Sequence, residues 1–341
     1  MLFNKVHIEA VGYHLPDEVL TSAAIEERLA PQLSALGFQP GRLEGLTGIV
    51  ERRIWPIGTR PSSVAAEAAR HALNKGSIKP EEVEFLLHCG VCRDALEPAT
   101  AAVVHYNLGL SAHCGVLDVS NACLGFLNGL ISAANMIELG HIDTALVVSG
   151  ENAGPIYQDT IDMLQQNPSQ DLMRKSLASL TLGSGAVAFV LRHKDKTKTT
   201  HRLLGGVTLS DCESHAVCCG NGDIHHQRME TDTQELLRKG LILSAKTWDL
   251  FKRRLNWTNE TPDHVFNHQV SRVFSDRALE AMGISSRRNY FDCARFGNTG
   301  SVAVPLSVAM RADEGELKEG ELMALLGIGS GLNCMMLGVQ W

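Results

Sequence analysis

Asp118-Val-Ser-Asn-Ala-Cys-Leu-Gly-Phe126 runs into Leu124–Leu139, which is apolar nearly all round, and then into Thr144–Gly150 (TALVVSG). The first stretch reads as a strand end followed by a turn of small residues. A helix apolar on every face is one that is buried on every face. A short, wholly apolar, valine-rich run reads as a strand covered on both sides. Strand, buried helix and buried strand make one βα unit, and the same alternation extends outward. Val6–Val11 alternates as a strand, Ser62–Leu73 (SSVAAEAARHAL) is an amphipathic helix opened by serine, and Val83–Leu87 and Gly185–Arg192 are buried strands. Gln234–Leu250 reads as a helix, Val265–His268 as a strand end and Leu322–Gly327 as a strand. The alternation predicts a layered α/β fold with a mostly parallel sheet.

The chain also repeats itself. Lys79-Pro-Glu-Glu-Val83 resembles Thr261-Pro-Asp-His-Val265 at an offset of 182. Asn107-Leu-Gly-Leu110 resembles Ala281-Met-Gly-Ile284, and Leu117-Asp118 resembles Phe291-Asp292, both at an offset of 174. The shared order points to a duplicated unit, with about eight extra residues in the first half near Arg93–Ala101. The expected halves are 1–192 and 193–341, joined by the polar Arg192–Arg202 (RHKDKTKTTHR). Groups from matching strand ends would then meet at the centre of the pair.

Composition limits the function. The chain has 341 residues, is 44% hydrophobic and carries a net charge of −7 with no basic block, which argues against nucleic-acid binding. No uncharged apolar run reaches the ~18 residues of a membrane span, and the N-terminus lacks a signal peptide's apolar region. Nine cysteines, an odd number in a long chain, do not look like a disulfide framework. A reducing cytoplasm is the expected location.

Cys123 stands between a strand end and a helix start, where the helix dipole and free N–H groups favour the thiolate. The alternative is an inert buried cysteine. His268, in Phe266-Asn-His-Gln-Val-Ser-Arg272, ends a strand and could serve as acid, base or oxyanion donor. It could equally be one of 14 histidines with a structural hydrogen bond. Asn298, in Phe296-Gly-Asn-Thr-Gly-Ser301, falls by the repeat offset beside Cys123. Its amide could donate to an oxyanion or simply close a turn. Gly327-Ile-Gly-Ser-Gly331 lacks the third glycine of a dinucleotide fingerprint but could aim N–H groups at a carbonyl. Glu97, in Arg93-Asp-Ala-Leu-Glu-Pro98, lies in the first-half insertion and is either a solvated loop carboxylate or a base folded inward. Cys89-Gly-Val-Cys92 is a single CxxC without the second pair that zinc requires. Cys218-Cys219 and His225-His226 read as a polar loop, with metal binding as the less ordinary alternative.

In that order these motifs resemble the thiolase-superfamily condensing enzymes of the ketoacyl synthase III branch. Asn121-Ala-Cys-Leu-Gly-Phe126, Asn267-His-Gln-Val-Ser-Arg272, Phe296-Gly-Asn-Thr-Gly300 and Gly327-Ile-Gly-Ser-Gly-Leu-Asn333 match its nucleophile, histidine, asparagine and oxyanion-loop motifs. Lys5-Val-His-Ile8 and Thr47-Gly-Ile-Val-Glu-Arg-Arg53 extend the likeness over the whole chain. The narrower resemblance is to OleA-type acyl-CoA condensing enzymes of bacterial long-chain olefin biosynthesis. Arg93-Asp-Ala-Leu-Glu-Pro98, His268-Gln-Val-Ser-Arg272 and Gly327-Ile-Gly-Ser-Gly-Leu-Asn-Cys334 carry it.

The resemblance implies a thiolase-like duplicated α-β-α-β-α fold, an obligate homodimer, and coenzyme A or acyl carrier protein as the carrier of the substrate. It implies no nicotinamide, flavin or metal. Cys123 would carry the acyl group, the N–H groups of Cys123 and Ser330 would form the oxyanion hole, and His268 and Asn298 would stabilise an enolate. Glu97 would reach the partner subunit's site as the base. Two acyl-CoA would then join without decarboxylation into a 2-alkyl-3-oxoacyl thioester. The alternatives are a decarboxylating 3-oxoacyl-ACP synthase III using malonyl-ACP, an acyl-transferring or thioester-hydrolysing relative, and a non-catalytic thiolase-fold binding subunit.

Overall fold

The structure, a computed structural model, describes residues 1–222 and 227–341. Its strands are β1 (Val6–His14), β2 (Glu18–Thr21), β3 (Glu51–Ile54), β4 (Phe85–Cys89), β5 (Gly115–Val119), β6 (Thr144–Glu151), β7 (Gly185–His193), β8 (Arg202–Ser210), β9 (Cys218–Gly222), β10 (Gln227–Thr231), β11 (His264–Asn267), β12 (Leu322–Gly329) and β13 (Asn333–Gln340). Its helices are α1 (Ser22–Arg28), α2 (Ala30–Ala35), α3 (Arg42–Thr47), α4 (Pro61–Gly76), α5 (Thr100–Leu108), α6 (Gly125–Glu138), α7 (Gly154–Gln166), α8 (Gln170–Ser176), α9 (Thr233–Leu255), α10 (Arg272–Met282), α11 (Cys293–Phe296) and α12 (Ala303–Asp313).

Nine strands form one sheet in the order β11-β12-β13-β8-β1-β7-β6-β4-β5. The seam is at β1 and β8, where the paired register is His7 opposite Arg202, reinforced by Ile8 N–H donating to His201 C=O at 2.8 Å. On one side of the seam lie β1, β4, β5, β6 and β7, and on the other β8, β11, β12 and β13. Each side has the same order from the seam outward: first strand, last, next-to-last, then second. Phe85 of β4 lies opposite Gly115 and Ala145, and Val265 of β11 lies opposite Asn289 and Ala324. Val265 is therefore the counterpart of Phe85, two residues along from the Val83 that the sequence match pairs with it.

The sheet is not mostly parallel. β11 with β12, β6 with β4 and β4 with β5 run parallel, and the other pairings are antiparallel. The apolar runs misled because strands covered on both faces look alike whichever way they run. Helices supply that cover. α4 packs on one face of the first half, with Ala65, Ala68, Ala69 and Ala72 against Leu146, Val148, Ala188 and Val190. α9 and α10 cover the second half through Leu243, Phe251, Phe274 and Leu279 against Leu326, Cys334 and Met336. Between the halves lie α6 and α12. Phe126, Leu127, Leu130, Val304 and Val308 meet Val147, Val187 and Phe189 on one side and Phe266, Met323, Leu325 and Leu337 on the other. The layers are thus α-β-α-β-α. Full burial of each such side chain contributes about 1.5–3 kcal/mol, so this double-faced layer holds the halves together.

β1 approaches α4 so closely that only glycine fits at position 12. A Cβ on Gly12 would press on the backbone at Ala72 N and Ala68 O. Gly12→Ala is therefore expected to lower stability by ~2–3 kcal/mol. Gly45→Ala, in α3 with open space around the new methyl, is expected to leave stability unchanged or raise it by ~0.5–1 kcal/mol. Denaturant melts of both chains check this, and equal behaviour of the two would contradict the packing.

Candidate active site

Cys123 lies in the turn between β5 and α6, two residues before the helix proper. Ala122 before it has a φ of 46°, the left-handed region that costs a non-glycine residue about 1 kcal/mol or more. The turn is closed by Leu124 N–H to Asn121 C=O (2.9 Å) and Gly125 N–H to Ala122 C=O (3.1 Å). Gly125 sits on the backbone of Cys89 and Gly90, the end of β4, and Gly329 of β12 lies over the N–H groups of Cys123 and Leu124. A Cβ at Gly329 would stand 3.3 Å from Cys123 N. The β12–β13 hairpin therefore arches over the Cys123 turn. Asn333 fastens it, its amide donating to Asn121 Oδ1 (3.3 Å) and to Ser330 C=O (3.1 Å). Asn121 in turn donates to Asn128 Oδ1 on α6 (2.8 Å). β12 runs two residues past the Gly327 at which the sequence ends the strand, to Gly329, and only Ser330-Gly331-Leu332 turns.

His268 follows β11, its N–H bonded to Leu326 C=O on β12 at 2.7 Å. It is buried, and its Nδ1 has no hydrogen-bond partner. Desolvation lowers its pKa to about 4, so the imidazole is neutral at physiological pH. Asn298 is buried between α11 and α12. Its N–H donates to Thr181 C=O (2.8 Å) and its C=O accepts from Gly183 N–H (2.9 Å). Its side-chain Oδ1 accepts from Gly300 N–H at 3.0 Å. The turn reading was right for the oxygen, and that bond leaves the amide NH₂ as the free donor end.

The thiolate expectation is overturned. The Cys123 thiol is pushed up to about 12, first by burial, then by the charge of Glu151 and by Cys218, with only a backbone hydrogen bond opposing. α6 begins beyond Cys123, and desolvation outweighs its dipole. The resting pair is a neutral thiol and a neutral imidazole, and no hydrogen bond links the side chains of Cys123, His268 and Asn298.

Glu97 is exposed on the loop between β4 and α5, and no contact among the described residues joins it to the other three on the same chain. Cys218 and Cys219 lie in β9, paired with β10, and not in a loop; His225 and His226 lie outside the described residues. All nine cysteines are free, Cys89 being buried at the end of β4. Among the described residues no three His, Cys, Asp or Glu could hold a metal, and no helix is long and apolar enough to cross a membrane.

Sequence reasoning missed Glu151. It ends β6, is 4% exposed, and accepts from Val91 N–H and Cys92 N–H (3.0 Å each) and from Ser301 Oγ (2.5 Å). A carboxylate closing a fully apolar strand was the available signal, because a buried charge needs partners that only a specific site provides.

The model of 3-oxoacyl-[acyl-carrier-protein] synthase III matches residues 117–206, and the model of that synthase's C-terminal part matches residues 253–341. Over its whole length the chain is 40% identical to the acyl-CoA:acyl-CoA alkyltransferase of Shewanella oneidensis, and 41% identical to that of Xanthomonas campestris pv. campestris. Each alignment covers 100% of both proteins. The crystal structure of a Xanthomonas campestris OleA variant with bound lauric acid and lauroyl-CoA matches with a TM-score of 0.95 at 39% identity, covering 100% of both chains. The chain belongs to the ketoacyl synthase III branch of the thiolase superfamily, with the OleA-type acyl-CoA:acyl-CoA alkyltransferases.

The neutral His268 has a consequence for stability. Its folded pKa of about 4 lies below the ordinary 6.5, so the unfolded chain takes up the proton first as the pH falls. Stability is then lost between pH 6.5 and about 4, by up to ~3 kcal/mol from this group. His268→Asn is expected to flatten the dependence of denaturant-measured stability on pH across that window. An unchanged slope would show that His268 is not held neutral.

Proposed function

We propose that this chain joins two acyl-CoA thioesters, without decarboxylation, into a 2-alkyl-3-oxoacyl-CoA through an acyl-Cys123 intermediate. The observation that carries the reading is a pair of buried groups, His268 with no partner at Nδ1 and Asn298 with its Oδ1 taken by Gly300 N–H, His268 being bonded to β12, the strand that covers the Cys123 turn. Buried polar groups are normally paired, so this pair suits a ligand oxygen. Full-length identity to acyl-CoA:acyl-CoA alkyltransferases supports the substrate class.

In this reading Cys123 sulfur attacks the first acyl thioester as its proton leaves, and the N–H groups of Cys123 and Ser330 receive the oxyanion. Coenzyme A departs as its thiol. The second acyl-CoA binds with its carbonyl oxygen toward His268 and Asn298. Glu97 removes an α-proton, the enolate carbon attacks the acyl-cysteine carbonyl, and Cys123 sulfur is the leaving group. No cofactor or metal enters these steps. We also propose that 1–192 and 193–341 are the duplicated units, and that the enzyme works in the cytoplasm in long-chain olefin formation.

Glu97 serves the site of a second copy. It is exposed here, and its loop stands beside β5, which is paired only on one side. Val116, Leu117, Tyr106 and Leu96 nearby are exposed apolar side chains. An apolar strand edge of this kind is a pairing surface, which supports a homodimer with Glu97 donated across it.

Incubation with lauroyl-CoA alone should yield acyl-Cys123 and a β-keto product, both detected by mass spectrometry. Glu97→Ala should acylate normally and lose condensation by ~10²-fold or more. Mixing Cys123→Ala with Glu97→Ala chains should restore part of the activity, because one site of the mixed dimer keeps both groups. A Glu97→Ala enzyme that condenses normally, or a strong preference for malonyl-ACP as the second substrate, would replace this reading with the decarboxylating synthase.

A further inference from the structure

Glu151 is a buried carboxylate with no Lys or Arg partner among the described residues. Its charge is held by N–H and O–H donors, with the Cys92 thiol also beside it, and these come from two different places. Val91 N–H (3.0 Å to Oε1) and Cys92 N–H (3.0 Å to Oε2) open the loop that carries Glu97. Ser301 N–H (3.3 Å) and Ser301 Oγ (2.5 Å), both to Oε1, stand three residues after Asn298. Ser301 Oγ also donates to Cys89 C=O at 3.1 Å and shares a hydrogen bond with Ser149 at 2.9 Å. Gly300 leaves only enough room for the carboxylate, since a Cβ there would lie 3.3 Å from Oε1. Removing a charge from water without a countercharge is costly, and charge-assisted bonds of this kind are the stronger sort.

The Glu97 loop is pinned elsewhere too. Asp94 accepts from Ser62 N–H (2.9 Å) and Ser62 Oγ (2.5 Å) at the start of α4. Asp118 accepts from Thr100 N–H and Ala101 N–H, 2.8 Å each, at the start of α5. Between these pins only the Ala95–Pro98 tip is left to project, with Glu97 on it. Of the three carboxylates, Glu151 alone also grips the Asn298 turn.

We infer that Glu151 is a positioning residue for the condensation step, clamping the root of the Glu97 loop and the Asn298 turn to one buried carboxylate. The inference rests on the roles given to Glu97 and Asn298 in the proposed function. One side of the clamp sets where the base is presented to the neighbouring copy. The other sets where the enolate donor stands in its own site. Cys123 has no hydrogen bond to Glu151 and feels only its charge, so acylation should be spared.

The test compares wild type, Glu151→Gln, Glu151→Asp and Glu97→Ala, as full-length chains with lauroyl-CoA. Three quantities are read: the acyl-Cys123 burst, the condensation product, and the pH profile of iodoacetamide alkylation at Cys123. A glutamine keeps one acceptor oxygen, which in the place of Oε1 still takes Val91 and Ser301, but its NH₂ in the place of Oε2 meets Cys92 N–H donor to donor and pushes the root of the loop away. Glu151→Gln should keep acylation within about threefold and lose condensation by ~10²-fold, the usual scale for a misplaced catalytic group. Its Cys123 alkylation profile should move to lower pH, because the Glu151 charge raises that thiol. The other titratable groups facing Glu151 are the Cys92 thiol, raised chiefly by burial and then by Glu151, and His88, lowered by burial and favoured as a cation by Asp118 before Glu151. Glu151→Asp keeps the charge but is one methylene short, so condensation should fall while the alkylation profile stays.

Should the glutamine chain fail to fold, the aspartate chain decides by itself. Normal condensation in a folded Glu151→Asp or Glu151→Gln chain, with condensation lost in Glu97→Ala, overturns the clamp. Equal loss of both steps in either folded variant also overturns it, because that is a purely structural effect. Normal condensation in Glu97→Ala overturns the base reading instead.

Discussion

The structure depends on a layer of two largely buried helices. α6 and α12 lie between the two halves of the sheet, with apolar side chains on both sides of each. At the start of a helix the first main-chain N–H groups lack partners inside the helix. Cys123 lies in the turn two residues before the start of α6. Glycine stands at 125 and 329 because backbone must meet backbone above and below the Cys123 turn. Packing of the halves and placement of the thiol are thus one problem with one solution.

The electrostatics of the site follow from the same burial. Cys123 is held as a thiol and His268 as a neutral imidazole. This differs from the activated thiolate that a helix start suggests. A neutral site suits hydrophobic acyl chains, since it asks neither group to carry an uncompensated charge before substrate arrives. The Asn298 side chain and the hairpin beside the Cys123 turn are fixed in advance by main-chain hydrogen bonds. Asn298 is turned by Gly300, and the hairpin beyond Gly329 is fastened by Asn333. Preorganised dipoles of this kind cost nothing to reorient during reaction.

Carboxylates organise the periphery in a way that apolar packing does not. Glu151, Asp94 and Asp118 each take main-chain N–H groups that the loops would otherwise leave unpaired in the interior. They convert a stretch with no regular structure into one with defined ends. The Leu96–Pro98 tip is exposed, and β5 is an edge strand of the sheet.

The sequence by itself determined the strand and helix alternation, the buried character of α6, the presence of a duplication, and the motifs around Cys123, His268 and Asn298. Each rests on local information: periodicity, apolar content, or a turn-forming residue beside a strand end. It did not determine that most strand pairings are antiparallel, since burial on both faces erases the direction signal. Nor did it reveal the Phe85 to Val265 correspondence, which is set by cross-strand register and not by residue likeness. Cys123 and Glu151 show the limit most clearly. A thiol's pKa and a carboxylate's partners depend on what surrounds them, and residues 28 positions apart in the chain acquire that relation only when β6 and α6 pack together. Solvation and the positions of charges are properties of the assembled layers, so only the tertiary structure could decide them.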